Sequence, residues 1–111
     1  MVSQRLEIVL EKLSHAQFSE CLGEPFQLHL APELTLTLEL IETTLLGRRE
    51  LGEDEQSIRQ EPFSLLFRGP LKMELPQKIY HLEHSQLGRL DMFLVPVARK
   101  QDGMRYEAIF T

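Results

Sequence analysis

From Phe26 to Leu46 apolar and polar residues alternate almost without a break, and this period of two is what most limits the fold. Phe26, Leu28 and Leu30 sit two apart; Leu34, Leu36, Leu38 and Leu40 keep the beat, with Thr35, Thr37 and Glu39 between them. Successive side chains of an extended chain point to opposite faces, so the run reads as strand with one buried face. It divides into Phe26–Leu30 and Leu34–Leu46 at Ala31-Pro32-Glu33, a tight turn in which Pro32 removes a ladder donor. At Leu40-Ile41 the beat slips and apolar residues become neighbours, which predicts a bulge or bend.

Four further strands follow. Pro62–Arg68 carries Phe63, Leu65 and Phe67 on one face and stops at Gly69-Pro70. Lys78–His84 and Arg89–Val97 flank a hairpin loop, Ser85-Gln86-Leu87-Gly88; Asp102-Gly103 marks a second hairpin turn before Met104–Phe110. The unbroken run Met92-Phe93-Leu94-Val95 predicts a central strand covered on both faces. Upstream, Leu6, Val9, Leu10 and Leu13 recur at helical spacing, with Ile8 at the margin and Glu7 and Glu11 opposite, which predicts an amphipathic helix over Ser3–Leu13. A second short helix is predicted over Ser14–Leu22, capped by Ser14, turning Phe18, Cys21 and Leu22 inward and ending at Gly23. The fold class is mainly β, α+β by virtue of the N-terminal helices. About six mostly antiparallel strands form a small barrel or strongly coiled sheet, because closure removes exposed edges. The first helix caps one end or covers the outer face.

A chain of 111 residues is one domain, with a helical segment at 1–22 and a β domain at 26–111. The polar stretch GRRELGEDEQSIRQE at 47–61 reads as an exposed loop, long enough to mark either a tolerated insertion or a partner-binding loop. Trp is absent and aromatic residues are few, so the core is expected to be mainly leucine. The net charge of −5, without a basic stripe, argues against nucleic acid and anionic membrane surfaces, both of which are held by Lys and Arg. No apolar stretch approaches the ~18 residues of a membrane span. Charges break the first thirteen residues, so no secretion signal is visible and the expected location is cytoplasmic.

Chemistry finds little purchase. Cys21 is the sole cysteine; Glu20 and Glu24 beside it oppose a thiolate, so an inert thiol is expected. His81 and His84 have an H-x-x-H spacing, but on a strand residues three apart face opposite ways, while His15 and His29 lie in other elements. A zinc site needs three or four converging ligands, so no metal is expected. The carboxylates of Glu50, Glu53, Asp54 and Glu55 lie in the polar loop, where nothing would shift their pKa. Glu39 and Glu42 are better read as cross-strand partners for Arg68, Arg89 or Arg105. There is no nucleophile elbow, Cys-His signature, phosphate loop or dinucleotide fingerprint, so neither enzyme activity nor a cofactor is expected. Large apolar residues, namely Leu66, Ile79, Phe93 and Val95, stand where a simple two-layer protein would show polar ones. With His84 and Arg89 from the neighbouring hairpin, they are the candidate partner contacts.

From Phe18 onward the chain resembles a family of small bacterial proteins of unknown function. The resemblance rests on Gly23-Glu24-Pro25-Phe26-x-Leu28, on Pro62-Phe63-Ser64-Leu65-x-Phe67-Arg68-Gly69-Pro70 and, most strongly, on Leu75-Pro76-Gln77-x-x-Tyr80-x-Leu82-Glu83-His84. Leu87-Gly88-x-Leu90, Phe93-Leu94-Val95-Pro96 and Asp102-Gly103-Met104-Arg105-Tyr106-Glu107-Ala108-Ile109-Phe110 complete it. Lys78 and Ser85 depart from the glycine and proline of that pattern. The resemblance brings no activity; it implies companionship with phage-tail-like proteins and a structural or assembly role.

The expected function is therefore a non-catalytic interaction or assembly domain, with a protein partner or self-association and strand addition at an unclosed sheet edge as its mode. The alternative is a barrel holding a small apolar ligand, which bulky core side chains oppose.

Overall fold

The computed structural model describes residues 14–47 and 61–111. The helix expected over Ser3–Leu13, and nearly all of the polar loop, lie outside the described residues. The elements run α1 (His15–Ser19), β1 (Pro25–Ala31), β2 (Leu34–Leu45), β3 (Phe63–Gly69), β4 (Lys78–His84), β5 (Gly88–Lys100) and β6 (Gly103–Phe110). The six strands form a closed antiparallel barrel in the order β1-β2-β3-β6-β5-β4. Closure comes from β1 against β4, where Gln27, Leu28 and His29 meet Glu83, Leu82 and His81. Every strand thus has a neighbour on both sides, so the barrel offers no wholly unpaired strand of the kind that strand addition to an open sheet would use.

The alternation does what its period requires. Phe26, Leu28, Leu38, Leu40, Leu65, Phe67, Leu82, Leu90, Met92, Leu94 and Tyr106 all point inward and are almost completely buried. These side chains line the interior of the six-stranded barrel and form its apolar core. The slip at Leu40-Ile41 is a bulge: the β2–β3 register shifts between Leu40 and Glu42. The expected cross-strand pair is Glu39 with Arg68, which are register partners and ion-paired. Arg68 also faces Arg105, a repulsive pairing that Asp102 relieves by accepting from Arg68 at 3.1 Å and Arg105 at 2.8 Å.

Three expectations need correction. The helix after Ser14 is shorter than expected, His15–Ser19, and Leu22 is exposed rather than inward-facing. The β5–β6 turn is Gln101-Asp102, one residue earlier, with Gly103 already in β6. The Met92–Val95 run is covered on one face: Met92 and Leu94 are buried, but Phe93 is half-exposed. In a closed barrel every strand is central in pairing, yet its second face looks outward.

Both ends of the barrel are stoppered. At one end Ser14 caps α1 through a reciprocal capping box with Gln17. Phe18 packs against Phe63 and Phe110 at 5.9 and 5.6 Å between ring centroids. Thr43 ties this helix to β2 through His15 Nε2 at 3.1 Å and Ser19 Oγ at 3.0 Å. At the other end topology dictates the closure. β3 and β4 sit opposite each other in the ring of six, so the connection between them must cross the mouth. Its Leu75 is buried there, and both tyrosines of the chain hold it. Tyr106 Oη accepts the Leu75 N–H at 2.9 Å and donates to the Met73 carbonyl at 3.3 Å, and Tyr80 donates to the Pro76 carbonyl.

Burial raises both tyrosine pKa values above 10.0, their ordinary value. The unfolded chain therefore ionises first, and the neutral hydroxyls contribute stability that is complete below pH ~10 and lost as pH rises through the folded values. Urea midpoints measured from pH 8 to pH 11 should fall above pH ~10. The Tyr106→Phe variant should start about 1–3 kcal/mol lower, because the buried Leu75 N–H loses its acceptor, and should show a smaller alkaline decline. A decline as steep as that of the parent would remove Tyr106 from this account.

Candidate functional site

Two places in the barrel bring chemically informative side chains together: a polar cluster under α1 and an apolar stretch of the outer wall. The polar cluster joins Cys21, Glu24 and His84, whose ligand-type atoms lie within 4.8 Å of one another. Gly23 and Glu24 are held by main-chain bonds to Leu40 at 2.7 and 3.3 Å, which fixes the turn between α1 and β1. His84 ends β4 and shares the inward parity of Tyr80 and Leu82. Its ring packs on Phe26 at 4.6 Å, and its side chain is 1% exposed.

Hydrogen bonding settles what this cluster can do. His84 Nδ1 accepts two main-chain N–H groups, from Gln86 at 3.0 Å and Leu87 at 3.2 Å. The ring proton is therefore on Nε2, which donates to Glu24 Oε1 at 2.6 Å. Neither nitrogen has a lone pair left to give. A metal on Nε2 would force the proton to Nδ1, against two donors, whereas a ligating histidine normally turns its other N–H toward an acceptor. The residues present thus do not fit a metal. The same bonds leave no histidine nitrogen as a base for Cys21, whose thiol points to the Gln17 carbonyl at 3.6 Å. Burial first, then Glu24 and Glu20, pushes the thiol pKa up, as the flanking acids imply.

The cluster is a brace between the α1–β1 turn and the β4–β5 hairpin. His84 supplies the acceptor that the main chain of a three-residue loop needs, and Glu24 fixes the tautomer that makes it an acceptor. Glu24→Ala should leave a buried N–H without a partner and cost about 1–3 kcal/mol by urea unfolding. An unchanged midpoint would mean that the Nε2 proton finds another acceptor.

The outer wall is different. Ile79 of β4 and Phe93 of β5 are cross-strand partners, 60% and 50% exposed. Val95, half-buried, follows two residues along on the same face, and its partner on β6 is Glu107. Glu107 in turn pairs with Leu66 of β3, also half-buried. Ile109, two residues beyond Glu107 on the outer face, is 58% exposed. One face thus runs Ile79–Phe93–Val95–Glu107–Leu66, with Ile109 at its margin. Four of the six expected contact residues, Leu66, Ile79, Phe93 and Val95, are brought together here.

Arg89 and His84 are not part of it. Arg89 is exposed opposite Glu83, toward the far end of the β4–β5 ladder, where His81–Asp91 and His29–Glu83 make the wall polar. His84 faces inward and offers no surface. Ile109 went unrecognised although its signal was present: Tyr106, Ala108 and Phe110 alternate inward, so Ile109 must point out.

No helix among the described residues is long and apolar enough to cross a membrane. A family model described as Domain of unknown function (DUF6916) matches residues 13–110. Comparison with curated proteins gives no match, and comparison with solved structures gives none either.

Proposed function

Because the chain belongs to this uncharacterised family over residues 13–110, we propose from its geometry that it is a non-catalytic interaction domain. Its contact surface is the outer face of β4, β5 and β6 with the adjoining Leu66 of β3. The observation that carries this reading is the exposed Ile79–Phe93 pair, continued by Val95, Leu66 and Ile109. Contiguous apolar surface on a barrel wall is costly in water unless something covers it. Large buried side chains line the interior, which favours this reading over a ligand-binding barrel. The polar brace under α1 supports a non-catalytic role, because its histidine has no nitrogen free to act as a base. An assembly role beside phage-tail-like proteins is the finer form of the proposal.

Quantitative mass spectrometry of proteins captured by the tagged full chain, against the Ile79→Lys/Phe93→Lys variant, tests it. Both positions are exposed, so the variant should unfold within about 0.5 kcal/mol of the parent. A specific partner should be held by the parent and depleted at least tenfold by the variant; a tail-like structural protein among such partners would carry the finer form. Equal capture by a folded variant would overturn this face as the contact surface.

A further inference from the structure

The polar part of the outer wall has an order of its own. Among the register pairs that close the barrel, His29 of β1 lies directly opposite His81 of β4. Both alternate with buried neighbours and point outward, with side chains 44% and 70% exposed. Directly opposed residues hold their Cβ atoms about 5 Å apart, a separation from which two imidazoles can turn toward one ion. Spacing along the chain offers His29 no such neighbour; closure of the barrel supplies it.

Each ring is already oriented by a carboxylate. His81 Nδ1 lies 2.7 Å from Asp91 Oδ1, and His29 Nε2 lies 3.0 Å from Glu83 Oε1. A carboxylate only accepts, so these nitrogens carry the ring protons, and the neutral rings keep a lone pair at His81 Nε2 and His29 Nδ1. The latter faces the Thr35 hydroxyl at 3.4 Å, a long contact that water or an ion can replace. An imidazole whose N–H is held by a carboxylate is the arrangement that metal-ligating histidines normally show. It is the reverse of His84, whose Nδ1 is occupied by two main-chain donors. Glu83 and Asp91 also bring two negative charges to the pair, of which Arg89, opposite Glu83, offsets one.

We propose that His29 and His81 clip one divalent transition-metal ion of the zinc class between β1 and β4, with water completing its shell and Glu83 and Asp91 holding the rings. Imidazole nitrogen suits zinc, copper and nickel, whereas calcium and magnesium take oxygen ligands. Two protein ligands, rather than the three or four of a built-in zinc centre, make the ion exchangeable, so occupancy follows its concentration. The ion joins the two strands whose pairing shuts the cylinder, and by binding the folded form it stabilises that form.

Zinc sulfate added to the untagged full chain tests it, followed by the histidine ring signals in NMR spectra and by calorimetry. The His29 and His81 rings should shift at saturation while those of His15 and His84 do not, and calorimetry should count one ion per chain. His29→Gln and His81→Gln, both at exposed positions, should fold as the parent does and bind zinc at least tenfold more weakly. Asp91→Asn should lose about tenfold in affinity. The urea midpoint should rise with zinc in the parent but not in His81→Gln, and magnesium should raise neither. No binding below about 1 mM zinc, ring shifts at His15 or His84 instead, or equal affinity in the parent and both histidine variants overturns the site. Unchanged binding by Asp91→Asn overturns the part given to that carboxylate. Partner capture plays no part in these readings, so the ion site and the contact face stand or fall separately.

Discussion

Replacing Phe18 by alanine is expected to cost the protein about 3–5 kcal/mol, the usual range for truncating a fully buried phenylalanine. Phe18 is completely buried although it belongs to a helix of five residues, too short to persist without packing. Its ring is the third member of a cluster with Phe63 and Phe110, which stack on each other at 4.8 Å. Removing it opens a cavity at the barrel end and takes away the apolar anchor of α1. Since a domain of this size is stable by about 5–15 kcal/mol, the loss is a large part of the whole. Urea unfolding of the full chain measures it. A loss below about 1 kcal/mol would mean that the helix does not stopper the barrel.

Gly103→Ala should cost about 3 kcal/mol or more, from two sources that add. The glycine has φ +140°, in a region that side-chain-bearing residues occupy only at a cost of about 1–3 kcal/mol. An added Cβ would also run into the carbonyl oxygen of Gly69 on the neighbouring strand, where main chain rather than a flexible side chain must yield. Gly23, at φ +84°, provides the comparison: a Cβ there meets nothing within 4 Å, so Gly23→Ala bears the backbone cost alone. Equal midpoints for the two variants would show that the approach of Gly103 to Gly69 is not tight.

The strands were legible because a period of two needs nothing beyond neighbouring residues. Alternation gives Phe26–Leu30 and Lys78–His84 their faces, and it separates His81 from His84. It does not identify neighbours. That β3 lies beside β6, or that β1 closes on β4, depends on pairings across much of the chain that no local pattern encodes. Parity also held information that went unused: Tyr80 and Leu82 inward puts His84 inward. Glu24 was invisible as a partner of His84 because it lies outside the strands, where periodicity assigns no face. The outer apolar face was readable residue by residue, from large apolar side chains at outward positions, yet its continuity needed the register of β4, β5, β6 and β3.

The two ladders that join the halves of the wall are unequal. β3 and β6 pair along the whole of β3, from Phe63 to Gly69, whereas β1 meets β4 only from Gln27 to His29. The latter joins segments more than fifty residues apart, as in the His29–Glu83 contact at a separation of 54. Bringing such distant segments together costs chain entropy, and few main-chain bonds offset it. The two meanders, β1–β3 and β4–β6, can therefore form and meet along β3–β6 before the cylinder shuts. The same imbalance acts in reverse. A fluctuation that parts Gln27–His29 from His81–Glu83 breaks the fewest bonds and turns the cylinder into an open sheet. This seam is where the folded molecule should breathe first, and where strand edges that the native barrel conceals come briefly into solvent.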